Sequence, residues 1–362
     1  MSKLATRITK MVMAITLLLP FLTCCTSQKH FESDVQHKEV VLFPIEENGN
    51  WGYIDKTGKV VINPQFSGAY PFSEGLAAVE IGDFEDSKLG YINQKGEMVI
   101  DPCFVAGAPF SEGLAGVIIR DKVGNFKYGF IDKTGRYVVK PQFDEAREFC
   151  EGLARVKLGE KWGFIDKTGK YVVKPQLDYV YDFHEGLAYV KNDERKGFVD
   201  KTGKMVIELP FDVGCLFGEG VCVALVDEKI GFIDKTGRMV IEPQFEHCLY
   251  GFQEGLAPVK SGGKWGYIDK SGSFVIEPQF VDAETFCEGL AAVKVGEKWG
   301  FIDKTGNMII EPKYAFCWCG FYKGIACVEE DGERGYIDKT GKYVWKHLSE
   351  VLMPVEIDAV SE

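Results

Sequence analysis

The sequence repeats one short motif nine times: Gly-[Tyr/Phe]-[Ile/Val]-Asp-Lys-Thr-Gly and its close variants. Successive copies begin 38, 39, 34, 34, 34, 35, 34 and 35 residues apart, and their first glycines are Gly52, Gly90, Gly129, Gly163, Gly197, Gly231, Gly266, Gly300 and Gly335. A period of this size indicates one small unit that is copied and stacked, so that each copy buries its apolar face against its neighbours. The repeat therefore predicts one continuous repeat domain over residues 41–350 of the 362.

One copy of the unit predicts three strands. Residues 151–158 alternate in polarity, Gly159 and Glu160 suit a two-residue hairpin, and residues 161–165 form the next strand. The Asp-Lys-Thr-Gly turn at 166–169 leads into a third strand at 170–174, which Pro175 is expected to end because proline lacks a backbone N–H. Residues 178–182 are then a connector to the next copy. Gly163 is expected to leave room for a close neighbour.

These units predict an all-β protein made of about nine three-stranded antiparallel repeats. An open, twisted or superhelical array is favoured, because propellers normally have four strands per blade and about four to eight blades. A closed, propeller-like ring is the alternative. Residues 351–362 form a C-terminal tail or a capping strand that could also close the array.

The amino terminus is typical of a signal peptide over residues 1–24: Lys3, Arg7 and Lys10 precede an apolar run at 11–22. That run is shorter than the roughly 20 residues needed to span a bilayer. The junction resembles a bacterial lipobox, which implies lipid attachment at Cys25, with Cys24 as the alternative. Residues 25–40 are a polar tether. We therefore expect an extracytoplasmic protein of the bacterial cell envelope, lipid-anchored to a membrane that is either the outer membrane or one facing the periplasm; a cleaved secretory signal is the other possibility.

The strings Lys-Trp-Gly-Phe-Ile-Asp-Lys-Thr-Gly at 161–169 and 298–306 resemble the bacterial WG repeat, also called the KWG repeat. Recurring Pro-Gln-Phe and Glu-Gly-Leu-Ala segments extend the resemblance over about 300 residues. It implies a β-rich repeat protein, often exported, for which no catalytic residues are established. Lys323 departs from the pattern, since the other copies place Glu before this Gly.

The repeated side chains are predicted to build the unit. The tryptophans are expected in the core and the aspartates in tight turns, where a carboxylate accepts backbone N–H groups; they include Trp51, Trp162, Trp265, Trp299, Asp55, Asp166, Asp269 and Asp303. Sugar stacking by the tryptophans, and calcium binding or glycosidase chemistry by the carboxylates, are the functional alternatives. The repeat-region cysteines suit either disulfides or small buried sites.

Residues that differ among the copies are the better candidates for binding. They occupy segments 67–70, 105–108, 144–148, 178–182, 213–216, 246–250, 281–285 and 315–319. Aromatic residues outside the repeat pattern are predicted to make exposed contacts: Tyr70, Tyr179, Tyr181, Tyr250, Trp318 and Trp345.

The formal net charge of −12 disfavours nucleic acid as a partner, because phosphate binding needs clustered Lys and Arg. The five histidines form no zinc motif, and neither a phosphate-binding loop nor a nucleophile elbow is present, so no cofactor, metal or catalytic residue is predicted. The favoured hypothesis is a non-catalytic envelope protein that offers a binding or scaffolding surface to a protein. A carbohydrate or cell-wall binding module, and an enzyme with an unrecognised site, are the alternatives.

Overall fold

The chain folds into a series of small antiparallel sheets, seen in a computed structural model that describes residues 41–83, 86–193, 195–214, 216–318 and 320–347. These residues form 35 strands in nine sheets, each a meander whose strands pair in chain order. The signal segment, the tether, Cys24, Cys25 and the tail at 351–362 lie outside the described residues.

Sheet 1 contains β1 (Leu42–Glu47), β2 (Asn50–Asp55) and β3 (Val60–Phe66); sheet 2 contains β4 (Gly68–Ala69), β5 (Leu76–Ile81), β6 (Lys88–Asn93) and β7 (Met98–Phe104); sheet 3 contains β8 (Ala106–Gly107), β9 (Leu114–Arg120), β10 (Phe126–Asp132) and β11 (Tyr137–Phe143); sheet 4 contains β12 (Glu145–Ala146), β13 (Leu153–Leu158), β14 (Lys161–Asp166) and β15 (Tyr171–Leu177); sheet 5 contains β16 (Tyr179–Val180), β17 (Leu187–Lys191), β18 (Lys196–Asp200) and β19 (Met205–Glu208); sheet 6 contains β20 (Asp212–Val213), β21 (Val221–Val226), β22 (Lys229–Asp234) and β23 (Met239–Phe245); sheet 7 contains β24 (His247–Cys248), β25 (Ala257–Ser261), β26 (Lys264–Ile268) and β27 (Phe274–Phe280); sheet 8 contains β28 (Asp282–Ala283), β29 (Leu290–Val295), β30 (Lys298–Asp303) and β31 (Met308–Tyr314); sheet 9 contains β32 (Phe316–Cys317), β33 (Ile325–Glu330), β34 (Glu333–Asp338) and β35 (Tyr343–Lys346).

Sheets 2 to 9 have four strands, so the predicted count of three is wrong. The additional strand is the first of each sheet and has only two residues, such as Tyr179–Val180 within the predicted connector at 178–182. It pairs with the following strand, Tyr179 opposite Lys191 and Val180 opposite Val190. Two residues are too few to show the alternation of polarity that marks a strand in sequence.

The last strand of a sheet also runs further than predicted, because β15 continues through Pro175 to Leu177. Its register against β14 shifts between the pairs Phe164–Val173 and Trp162–Leu177, which places the proline in a bulge where no ladder hydrogen bond is needed. A Cβ on Gly163 would lie 2.4 Å from the Val173 carbonyl oxygen. The expected close neighbour of this glycine is therefore the bulged strand beside it.

The two ends of the array meet, so the structure is the closed ring and the favoured open array is wrong. The Tyr336 hydroxyl of sheet 9 donates a hydrogen bond to the Pro44 carbonyl of sheet 1 at 2.8 Å. The rings of Phe43 and Tyr336 lie 5.7 Å apart, and Ile325 packs into one apolar cluster with residues of sheet 1. The nine sheets of the described chain thus form a nine-bladed β-propeller. Closure depends on the packing angle between neighbouring copies, and the repeated sequence pattern does not reveal this angle.

The loops of the ring fall on two faces, because the loops of an antiparallel meander alternate between its ends. The clamp face carries the Glu-Gly turn between the first and second strands and the Asp-x-Thr-Gly turn between the third and fourth. The hairpin face carries the turn between the second and third strands and the short connector into the next sheet. This division decides which residues can meet.

On the clamp face, a glutamate of one sheet bridges two groups of the next, and we call this contact the Glu–Lys clamp. Glu151, for example, accepts a hydrogen bond from the Gly186 N–H at 2.9 Å and pairs with Lys201 at 3.1 Å. Burial alone would raise the pKa of Glu151, but these contacts outweigh it and the pKa lies below its usual value. Seven such ion pairs, 3.0–3.4 Å long, join sheets 2 to 9 in the described chain: Glu74–Lys133, Glu112–Lys167, Glu151–Lys201, Glu185–Lys235, Glu219–Lys270, Glu254–Lys304 and Glu288–Lys339.

The turn aspartates act within their own turns. Asp166 accepts hydrogen bonds from the Thr168 hydroxyl at 2.6 Å, the Thr168 N–H at 2.9 Å and the Lys170 N–H at 3.1 Å. The Thr168 hydroxyl is the main reason that the pKa of Asp166 lies below its usual value. The same bonding recurs at Asp55, Asp132, Asp200, Asp234, Asp269, Asp303 and Asp338.

The core lies between neighbouring sheets, in a series of apolar clusters around the ring. Trp265 and Trp299 are buried in such clusters, and Trp51 and Trp162 pack half-buried against them. Cys222, Cys248, Cys287 and Cys317 are also buried, and Cys103 is exposed. In the described residues no helix has the length and apolar character that crossing a membrane requires.

Candidate binding surface on the hairpin face

The segments that vary among the copies occupy one structural position, the short first strand of a sheet and its flanking residues. Gly68, Glu145, His247 and Phe316, for example, each begin such a strand in a different sheet. Each of these strands starts at the hairpin face and runs towards the clamp face. The most diverse side chains of the repeat therefore lie in a circle around the ring, where each short first strand starts at the hairpin face. We call this circle the hairpin-face path.

An open cleft of about 350 Å³ lies on this path where sheets 5 and 6 adjoin. Asp178, Tyr179, Tyr181, Tyr189, Lys191, Asp212 and Val213 line it. The structure therefore brings together Tyr179 and Tyr181, two of the aromatic residues predicted to make contacts. Their rings pack edge to face with centroids 5.2 Å apart, and Tyr181 and Tyr189 lie 5.9 Å apart.

Asp212 is the polar centre of the cleft. It accepts a hydrogen bond from the Tyr189 hydroxyl at 2.9 Å, and Lys191 and Lys196 each approach its carboxylate to 3.3 Å. Burial would raise the pKa of Asp212, but these three donors lower it below its usual value. Burial and the nearby carboxylate raise the pKa of Tyr189, so this hydroxyl stays protonated. Asp178 forms a second ion pair with Lys161.

Sheet 9 carries another aromatic pair at the equivalent strand. Phe316 and Trp318 pack edge to face at 4.9 Å, and the Arg334 guanidinium lies 4.6 Å from the centre of the Trp318 ring. Phe316 is 47% exposed. This pair is more apolar than the tyrosine cleft and already holds a cation against one of its rings.

Two carboxyl groups on first-strand segments are hard to ionise. Burial raises the pKa of Glu148 to about 7; Asp182 adds to the effect and Arg147 opposes it. Burial and the neighbouring Asp282 raise the pKa of Glu284. The hairpin-face path thus contains both ion pairs and partly buried carboxyl groups.

The other predicted contact residues lie elsewhere. Tyr70 donates a hydrogen bond to Glu80 within sheet 2, and Tyr250 is half-buried beyond the first strand of sheet 7. Trp345 packs against Tyr336 at the closing interface. The six predicted residues therefore do not form one site.

Sequence reasoning missed Tyr189, Lys191 and Asp212. Tyr189 lies on a strand that each copy repeats, and the repeated strands are predicted to be structural. Comparison of the copies does mark the position as unusual, since it holds small, charged or aliphatic residues elsewhere: Ala78, Gly116, Arg155, Val223, Pro258, Ala292 and Cys327.

The repeated carboxylates do not converge on a shared cleft. The turn aspartates bond within their own turns, and the clamp glutamates bond across the interfaces between sheets. Over the described ranges, no group of three or more His, Cys, Asp or Glu side chains is arranged to hold a metal ion.

The fold places this protein in the class of β-propellers whose blades are tandem copies of one repeat. The model of the WG containing repeat matches residues 51–83, 90–122, 128–162, 162–195, 230–265, 265–299 and 299–333. The chain belongs to this repeat family. The interval 196–229 is unmatched and contains Asp212 and Val213 of the cleft, whereas its other lining residues fall in the matched interval 162–195.

One of the solved structures that match has a TM-score above 0.5, and it supports the fold alone. A crystal structure of the eukaryotic initiation factor matches with a TM-score of 0.61 and 10% identity, over 85% of this chain and 96% of that one. Dihydro-heme d1 dehydrogenase NirN in complex with DHE matches at 0.43 and 11% identity, over 89% and 76%. Kluyveromyces lactis Hsv2p matches at 0.37 and 11% identity, over 52% and 71%. A comparison with curated proteins gives no match.

Proposed function

We propose that this protein is a non-catalytic binding propeller, lipid-anchored at the bacterial cell envelope, that holds a protein partner on the hairpin-face path. The observation that carries the proposal is a difference in location and contacts between the residues that repeat and the residues that vary among the copies. Repeated Glu, Lys and Asp side chains are occupied by contacts within or between sheets. The variable side chains share one structural position, and they include two aromatic residues that are nearly half exposed, Tyr179 and Phe316.

Exposed aromatic side chains support a protein partner at this surface. Phe316 is 47% exposed and lies beside Trp318 and Arg334. Aromatic residues and Arg supply most of the binding energy at protein interfaces, whereas isolated exposed aliphatic residues contribute little. Sheet 9 therefore offers the strongest contact point for a protein along the path.

The test compares two exposed apolar residues of neighbouring sheets. Proteins cross-linked to the native envelope protein are quantified for wild type, Phe316→Ser and Ile309→Ser. Ile309 is 45% exposed but lies on the last strand of sheet 8. We expect a partner whose recovery falls at least about tenfold with Phe316→Ser and is unchanged with Ile309→Ser. Equal recovery with both variants, or equal loss, would overturn the proposal.

The lipid anchor has its own test. The basic and apolar segments before Cys25 support lipidation there, and two or more acyl chains would hold the chain stably at a membrane. Metabolic labelling with a clickable fatty acid is expected to mark the wild type and Cys24→Ser, but not Cys25→Ser. Label retained by Cys25→Ser would place the anchor at another residue, and a wild type without label would overturn the lipid anchor.

Carbohydrate binding is the second candidate function. One specific observation favours it: the tyrosine-lined cleft between sheets 5 and 6, which is too small for a protein domain.

A further inference from the structure

The cleft between sheets 5 and 6 combines an exposed aromatic surface with polar groups on its rim. Tyr179 is 46% exposed and is supported from the side by Tyr181, which in turn lies against Tyr189. The three rings form a continuous aromatic wall. Edge-to-face packing fixes the orientation of the outer ring, so a ligand that stacks on it has little side-chain motion to suppress.

Each charged side chain that lines the cleft lies against an opposite charge. Asp212 is shared by Lys191 and Lys196, and Asp178 is paired with Lys161. A site for phosphate would present unpaired cations, and a site for a basic peptide would present unpaired carboxylates. Paired groups retain lone pairs and N–H bonds for hydroxyl groups without requiring a charged ligand. This arrangement favours a neutral, hydroxyl-rich molecule.

The size of the cleft also favours a small ligand. Its volume of about 350 Å³ lies near the lower end of the roughly 300–1,000 Å³ that is usual for small-ligand sites. Protein interfaces are instead broad surfaces of about 800 Å² per partner. Because the cleft is open rather than enclosed, a longer chain could extend beyond it at either end.

We propose that this cleft binds one or two pyranose units of a neutral saccharide. The C–H face of a pyranose ring is weakly apolar and carries partial positive charge, which complements the negative face of a tyrosine ring. The hydroxyl groups at the edge of the sugar bond to Asp212 and Lys191. Tyr179 is the stacking residue and Tyr181 positions it. This proposal rests on the second candidate function, carbohydrate binding, and does not depend on the protein partner assigned to sheet 9.

The residues of the cleft set it apart from the rest of the path. At the first-strand position of Tyr179, other sheets carry Gly68, Ala106, Glu145, Asp212, His247, Asp282 and Phe316. In the described chain, only sheet 5 joins two tyrosines there to a third from its second strand. The saccharide site is therefore single and does not repeat around the ring.

The test is a binding titration of the full chain, followed by saturation-transfer NMR and calorimetry. The probes are chitotriose, cellotriose, maltotriose and mannotriose, with trigalacturonate and an arginine-rich peptide as charged comparators. We expect at least one neutral probe to bind, Tyr179→Ala to weaken it about tenfold, and Tyr179→Phe to retain it within about threefold. Tyr137→Ala is the matched control, because Tyr137 is 42% exposed but lies on the last strand of sheet 3.

Thermal unfolding of each variant shows that the fold is intact. Binding of the charged comparators alone would overturn the proposal, as would the absence of binding by every neutral probe. Equal loss in Tyr179→Ala and Tyr137→Ala would also overturn it, since stacking at the cleft would then not be responsible. Failure here leaves the cross-linking test at Phe316 unaffected, because the two experiments use different residues and different ligands.

Discussion

The hydroxyl of Tyr336 and the carbonyl of Pro44 lie 2.8 Å apart although 292 residues separate them in sequence. Their hydrogen bond joins sheet 9 to sheet 1 and belongs to the interface that closes the ring. The clamp-face residues of this interface differ from those of the seven interfaces that carry a Glu–Lys clamp. Lys323 replaces the clamp glutamate on sheet 9, and Lys56 occupies the clamp-lysine position on sheet 1.

The closing interface should be sensitive to a single methyl group. A Cβ at Gly58 would lie 1.8 Å from the Val344 carbonyl oxygen, whereas Gly75 has the same φ of +85° and no atom within 4 Å. We expect Gly75→Ala to lower the free energy of unfolding by about 1 kcal/mol through backbone strain. Gly58→Ala should lower it by at least about 3 kcal/mol. Chemical denaturation measures both changes. Similar losses of unfolding free energy in the two variants would show that the closing interface tolerates the added atom.

A Glu–Lys clamp can be added at the closing interface. Lys323→Glu places a carboxylate at the clamp-glutamate position of sheet 9, so that it can form with Lys56 the ion pair that the seven described clamps share. We expect a gain of about 0.5–1 kcal/mol in the free energy of unfolding, since exposed ion pairs contribute little more. The gain should vanish in the double variant with Lys56→Gln. A gain that survives in the double variant would have another cause.

The glycine after the repeat tryptophan should not accept a side chain. A Cβ on Gly163 would meet the Val173 carbonyl oxygen at 2.4 Å and the Pro175 nitrogen at 2.8 Å. Gly116, also within a strand, would meet only Phe130 at 3.7 Å. We expect Gly163→Ala to destabilise by at least about 2 kcal/mol and Gly116→Ala by less than about 1 kcal/mol. Thermal unfolding of the pair tests whether the bulge requires glycine.

Glu148 should make stability depend on pH near neutrality. Burial raises its pKa in the folded chain to about 7, above the unfolded value, so the folded state favours the protonated form. Its ionisation destabilises the fold as pH rises from about 4.5 through 7. We expect Glu148→Gln to be nearly neutral at pH 4.5 and to stabilise by about 1–3 kcal/mol at pH 8. Unfolding curves at the two pH values provide the comparison, and a gain of equal size at both would exclude ionisation as its cause.

Much of the single repeat could be predicted from the sequence. The hairpin at Gly159, the Asp166 turn and the close neighbour of Gly163 follow from residue types whose backbone preferences are strong and local. The short first strand could not be predicted, because Tyr179 and Val180 pair with a strand ten or more residues away and show no pattern of their own. The proline in β15 misled the prediction, since a bulge removes the need for its missing N–H.

The candidate site was only partly predictable. Tyr179 and Tyr181 stand out as aromatic departures from the repeat, but Asp212 lies in the next copy and reaches the cleft across an interface between sheets. The sequence by itself determined the repeated unit, its turns and the glycines that it requires, because these depend on neighbouring residues in the chain. Tertiary structure alone decided that nine units close into a ring, and which side chains of adjacent units meet. Both outcomes depend on the angle at which one sheet packs on the next, a property of whole interfaces rather than of any local pattern.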